Sequence, residues 1–181
     1  MTRKGPLPLV RAERFSARQR TPLMQIEHRP SQTDHRLVRV VEIGLKRLGV
    51  IRTLNRTIFG EDHIINSFDH EDLILLLAVS RESGAPVGFK VGYRLSAETY
   101  YSAKGGVHPG WRRRGIARLL LHELMGRAAR RGYDRFAYDT FPNKHPGMTV
   151  MGLDEGFRVT RAGYSARYED YRLRFECELE G

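Results

Sequence analysis

Val107-His108-Pro109-Gly110-Trp111-Arg112-Arg113-Arg114-Gly115-Ile116-Ala117 is the stretch from which the rest of the chain can be read. The residues ahead of it, Thr99–Val107, read as a strand. Pro109 and Gly110 break that strand, and a helix opens at Gly115. Ile116, Leu120, Leu124 and Ala128 form one apolar stripe, reinforced by Ala117 and Leu121, and Gly132 ends the helix after Arg131. A helix start presents unpaired N–H groups and the positive end of the peptide dipole, so it suits a phosphate. Gly115 lets the backbone approach closely, Ala117 keeps the first turn small, and Arg112, Arg113 and Arg114 add charge beside it. A pyrophosphate fits this set. Neither G-x-x-x-x-G-K-[ST] nor G-x-G-x-x-G occurs, which argues against a nucleotide triphosphatase and a dinucleotide dehydrogenase.

Working outward, Leu73–Ser80 is a continuous apolar run of strand length, and Glu82–Pro86 is a turn. Val87–Leu95 and Thr99–Val107 are two further strands joined at Ser96–Glu98, so the three form an antiparallel meander. Beyond the helix, Arg135–Phe141 is a strand, and Pro146–Glu155 is a short helix stopped by Gly156. Phe157–Tyr168 and Tyr171–Leu179 are the last strands. Upstream, apolar residues recur at helical spacing from Asp34 to Thr57, which predicts a helix capped by Thr33 or Asp34, with Gly44 and Gly49 interrupting it. Ile58–Asp72 reads as irregular, and Met24–His28 as a first strand. The fold class is α/β (α+β), with six or seven strands in one domain over residues 23–181. Residues 1–22 are expected to be a flexible basic tail.

The 181 residues suffice for one domain with a core. No run of about 18 apolar residues appears, so no membrane span is expected, and a cytoplasmic location is. The single cysteine, Cys177, forms no internal disulfide and sits between Glu176 and Glu178, which disfavour a thiolate; a structural role and a reducing compartment follow. The net charge of +10 attracts polyanions: nucleic acid, anionic lipid or a phosphorylated cofactor. With no RNA-recognition or helix-turn-helix signature, nucleic acid is expected only through the basic tail, whose Arg-rich, acid-poor composition also fits a mitochondrial transit peptide. The histidines show no metal-ligand spacing, so no metal is expected.

The order of these elements resembles the GNAT superfamily of N-acetyltransferases. In that family a central strand ends in V-x-P, here Val107-His108-Pro109, and [RQ]-x-x-G-x-[GA] opens a long helix, here Arg112, Gly115 and Ala117. A strand (Phe136–Thr140), an Asn (Asn143) and a short helix closing in Gly156-Phe157 follow in the same order. The resemblance implies a mixed, mostly antiparallel sheet flanked by about four helices. It also implies acetyl-CoA as acyl donor, an amine as acceptor, and no metal. By the same resemblance the Val107 N–H would polarise the thioester carbonyl at a splay between strands, with a bulge at Gly105-Gly106. Val107, His108, Pro109, Arg112, Arg113, Arg114, Gly115, Ile116, Ala117 and Arg118 would surround the coenzyme, with the amides of Arg113–Arg118 on its pyrophosphate. Asn143 would contact its arm.

The family's usual acid, a Tyr four residues before the closing Gly, falls on Gly152, so that acid is absent. Tyr164 and Ser102 are substitutes for it; Glu98 and Asp139 are candidates for the base. Of Tyr100 and Tyr101, one should line the acceptor groove and the other the core. His108 and His145 are given loop or edge roles. Edge strands near the C-terminus could pair in a homodimer. Two other readings are a basic nucleic-acid-associated module and a catalytically idle CoA-binding sensor, the latter suggested by Gly152.

Overall fold

A computed structural model describes residues 36–180. The basic tail, the strand at Met24–His28 and the cap at Thr33 or Asp34 lie outside the described residues.

Among the described residues seven strands form one sheet: β1 (Val38–Glu42), β2 (Ile74–Ser80), β3 (Pro86–Arg94), β4 (Thr99–Val107), β5 (Arg135–Thr140), β6 (Arg158–Ser165) and β7 (Asp170–Glu178). Their order across the sheet is β1-β2-β3-β4-β5-β7-β6. Every pairing is antiparallel except β4 with β5. Three α-helices accompany the sheet among the described residues: α1 (Leu48–Phe59), α2 (Ile116–Arg130) and α3 (Pro146–Asp154).

The helix expected over Asp34–Thr57 is instead a strand followed by a helix. Val38, Val40 and Val41 pair with β2, and β-branched residues favour that extended form. Gly44 holds an extended backbone at the break, a single 3₁₀ turn follows at Leu45–Arg47, and α1 begins only at Leu48. The other elements lie within three residues of their expected bounds, with Gly132 and Gly156 at positive φ just past α2 and α3.

The sheet separates two apolar layers. One joins Ile74, Leu76, Tyr100, Phe136, Tyr138 and Phe175 to the α2 stripe of Ile116, Leu120 and Leu124. The other joins Leu75, Leu77, Phe89 and Val91 to Ile51 and Leu54 of α1. At about 25 cal/mol per Å² of apolar surface removed from water, these two layers hold α1 and α2 on opposite faces.

Candidate functional site

The opening at the site comes from the one parallel pairing. β4 and β5 run together only from Thr99↔Arg135 to Ser102↔Tyr138. Beyond that point β4 stays on β3 as far as Val107↔Gly88, and β5 stays on β7 as far as Thr140↔Leu173, so a gap widens between β4 and β5. One extra residue, Ala103, sits in β4 where the register with β3 shifts between Val91 and Gly92. The bulge is therefore at Ala103, not at Gly105-Gly106. Those glycines answer a different need, close approach: a Cβ on Gly106 would lie 2.9 Å from the Phe59 ring, and one on Gly105 would lie 3.0 Å from the Phe89 carbonyl oxygen.

The direction of one amide follows from its neighbour. The His108 N–H donates to the Val87 carbonyl at 2.8 Å, towards β3. Successive N–H groups of a strand point to opposite edges, so the Val107 N–H is turned away from β3 and into the gap.

Next to this amide the chain turns into α2. His108 Nδ1 accepts from the Gly110 N–H at 3.2 Å, and Arg112 Nε donates to the Val107 carbonyl at 3.2 Å, which pins the turn to the strand end. The Arg114 guanidinium lies 5.0 Å from the centre of the Trp111 ring. Arg113 and Gly115 have φ of 63° and 74°, both left-handed, which is uncommon for a non-glycine residue such as Arg113. Gly115 is the N-cap and no side chain caps the turn. The first-turn amides of Ile116, Ala117 and Arg118 thus have no intrahelical acceptor. The Arg118 side chain is committed to α3, pairing with Glu155 and with Asp154 at 3.5 Å, so only its backbone faces the turn.

On the α2 face of the gap, polar atoms are buried without a partner. Thr140 is 3 % exposed, and its Oγ1 and that of Thr149 make no hydrogen bond among the described residues. The α1 face carries the opposite mouth. Phe59 covers Gly106, and the His145 ring meets Phe59 edge-on at 6.3 Å. Lys104 pairs with Glu61 and donates to the His63 carbonyl at 2.6 Å. Burial, and then the Lys144 and Lys104 charges, hold His145 below the usual histidine range, with Asp170 and Glu61 opposing them. Asp170 is buried; its Oδ1 accepts from the Asn143 amide at 2.6 Å and from the Tyr171 N–H at 2.7 Å, and its Oδ2 has no partner among the described residues.

The remaining sequence candidates are placed less favourably. Glu98 precedes β4 and pairs with Arg135, at the end of the strand opposite Val107. At about 3.3 Å per residue along a strand, it is too far from that amide to act as a base there. Asp139 is near the gap, but Arg174 binds both its oxygens (Nη2 to Oδ2 at 3.0 Å) and Tyr101 donates to it at 3.2 Å. Three hydrogen bonds already reach its two oxygens, so it is held as a partner of Tyr101 and Arg174. Tyr164 is 62 % exposed on β6, with β7 between that strand and β5, and meets Tyr171 edge-on. Asn143 is exposed, with its amide nitrogen spent on Asp170. Tyr100 is core and Tyr101 lies on the α1 face, as alternation requires. The charge of Asp170 acts on His145 only because the end of β5 and the start of β7 come together, which the sequence does not display. The Lys-His-Pro run by itself signals only a turn.

The class of protein is defined by this arrangement and by its likenesses. Residues 61–141 match the family described as Acetyltransferase (GNAT) domain. No curated protein matches the chain significantly. Among solved structures, the ribosomal-protein-S18-alanine N-acetyltransferase of Escherichia coli superposes with a TM-score of 0.67 at 11 % identity, covering 80 % of this chain and 96 % of that one. The IAA acetyltransferase of Bacillus cereus gives 0.67 at 16 % identity, with coverages of 78 % and 99 %. A GNAT family acetyltransferase of Elizabethkingia anophelis with acetyl-CoA bound gives 0.64 at 16 %, with coverages of 78 % and 98 %. At these identities the superpositions establish the fold. Residues 61–141 thus match a GNAT acetyltransferase domain, and the chain shares the fold of these acetyltransferases.

Proposed function

We propose that the chain transfers an acetyl group from acetyl-CoA to a primary amine, both bound at once. The observation that carries this reading is the Val107 N–H turned into the β4–β5 gap beside the uncapped first turn of α2. The residues present fit the coenzyme. The amides of Ile116, Ala117 and Arg118, with Arg112 and Arg113 beside them, would hold a pyrophosphate, and the unpartnered Thr140 hydroxyl suits the amide-bearing arm. Acetyl-CoA, when bound, supplies an activated acyl group as its thioester. The Val107 N–H then donates to the oxygen on which negative charge develops, and such preorganised donors contribute about 3–4 kcal/mol each to acyl transfer.

The acceptor amine enters from the α1 face, since the coenzyme's phosphates occupy the α2 side. His145 faces that mouth with its ring neutral near pH 7, so it accepts the proton that the amine must lose. Asp170 and Asn143 hold the adjoining loop.

The test is thermal denaturation of the full chain with and without acetyl-CoA, followed by turnover against polyamines, amino acids, aminoglycosides and peptide N-termini. A rise in melting temperature with transfer to one amine class supports the reading. A rise with no transfer to any amine would favour the idle sensor, a reading to which the absent side chain at Gly152 lends support. No rise at saturating acetyl-CoA would refute both.

A further inference from the structure

Lys90 lies in the middle of β3, 5 % exposed, and makes no hydrogen bond or ion pair among the described residues. The stem is buried with no counter-charge beside it, an environment that is costly for an ammonium and directs attention to what its tip meets. Its position says what that is. Lys90 pairs with Gly105 of β4 and with Leu76 of β2. Its neighbours on the same face are Gly88, against Leu120 and Val107, and Gly92, against Leu124 and Tyr100, so Lys90 is on the α2 face. A Cβ on Gly105 would lie 3.2 Å from Lys90 Cγ, so the lysine stem runs over Gly105, across β4. Adjacent strands are about 4.8 Å apart, and the four-carbon stem spans that distance to the gap beyond β4. No charged side chain contributes to its titration: burial alone brings it down to about 8.

We propose that the Lys90 ammonium is the proton donor to the departing sulfur of coenzyme A, a role that rests on the acetyl-CoA reading above. The acceptor nitrogen forms its bond to the acyl carbon, and the carbon–sulfur bond breaks with its electron pair going to sulfur. A proton passes from Lys90 Nζ to that sulfur, giving the free thiol. The proton released by the acceptor nitrogen passes to His145 and from there to solvent, from which neutral Lys90 is recharged. The position that carries an acid hydroxyl in the family's usual pattern is closed here, because the Tyr138 hydroxyl fills the space next to Gly152.

The experiment is calorimetric binding of acetyl-CoA, coenzyme A and S-methyl-CoA to the full chain and to Lys90→Met and Lys90→Gln. It is paired with ultraviolet titration of the bound coenzyme A thiol. In the wild type the thiol should titrate lower than in free coenzyme A, and near pH 8, where Lys90 still carries charge, coenzyme A should bind about tenfold tighter than S-methyl-CoA. Both variants should bind acetyl-CoA within about threefold of wild type yet lose that preference and the lowered thiol titration. Unchanged thiol titration in both variants would overturn the role of Lys90 and leave the coenzyme site standing. Failure of the wild type to bind acetyl-CoA would overturn both.

Discussion

A Cβ placed on Gly152 of α3 would lie 1.8 Å from the hydroxyl oxygen of Tyr138 on β5. That hydroxyl donates to the Met148 carbonyl at 3.1 Å, inside the turn of α3 that Gly152 closes. The tyrosine therefore reaches into the helix from the sheet, and no side chain at 152 can coexist with it. Gly152→Ala should destabilise the protein by about 2–4 kcal/mol through overpacking. Tyr138→Phe removes the clashing oxygen, so the double variant should recover about 1 kcal/mol or more of the sum of the single losses in denaturant unfolding. Strictly additive losses would mean the two residues do not share that space.

Gly115 carries φ of 74° at the start of α2. Gly115→Ala should cost about 1–2 kcal/mol from the left-handed backbone alone and leave acetyl-CoA binding weakened but measurable. Gly115→Glu adds a carboxylate among the amides that would hold the pyrophosphate, and acetyl-CoA binding should fall by more than about a hundredfold in calorimetry. Equal affinity in Gly115→Glu would place the phosphates elsewhere.

Burial of Lys90 sets a sign for stability against pH. Its value falls from 10.5 to about 8 on folding, so the unfolded chain binds the proton more tightly. Stability from this group is therefore fully present above about 10.5 and lost as pH falls through about 8. At about 1.4 kcal/mol per pH unit, the penalty at neutral pH is on the order of 3 kcal/mol. Lys90→Met should be more stable than wild type at pH 7 in urea unfolding, and the gain should shrink towards pH 10. A variant less stable at pH 7 would show that the ammonium has a partner in the folded protein.

His145 is held below the usual histidine range by burial and by Lys144 and Lys104. Its folded form resists protonation, so the stability it contributes is present above the ordinary histidine value and lost as pH falls through the lowered one. His145→Gln should leave stability at pH 7.5 within about 1 kcal/mol, flatten the acid limb of the rate profile and slow acetyl transfer by about 10²–10⁴-fold. An unaltered acid limb would give the proton to another group.

The sequence revealed most where local chemistry and tertiary environment agreed. The uniformly apolar β2 and the stripe of α2 could be read from period alone, and Gly132 and Gly156 fell at positive φ where turns were expected. The region from Asp34 to Thr57 misled because Val40, Val41 and Leu45 fit a helical stripe as well as a strand followed by a turn. Only pairing with β2 decides between them. The Val107–Gly115 corner was legible because its geometry is set by backbone groups, which the proline and glycines dictate. The side chains around it were not. Lys90 looks like a surface residue of an alternating strand until β4 presents a glycine for it to cross. Asp139 looks like a free carboxylate until β7 brings Arg174 against it.

Amide NMR of the isotope-labelled chain, titrated with acetyl-CoA, addresses the site most directly. The backbone N–H signals of Val107, Ile116, Ala117 and Arg118 should show the largest shifts and saturate together, while those of Glu98 and Tyr164 stay in place. Saturable binding that leaves the Val107 and Ile116–Arg118 amides unshifted would contradict the assignment of this corner to the coenzyme.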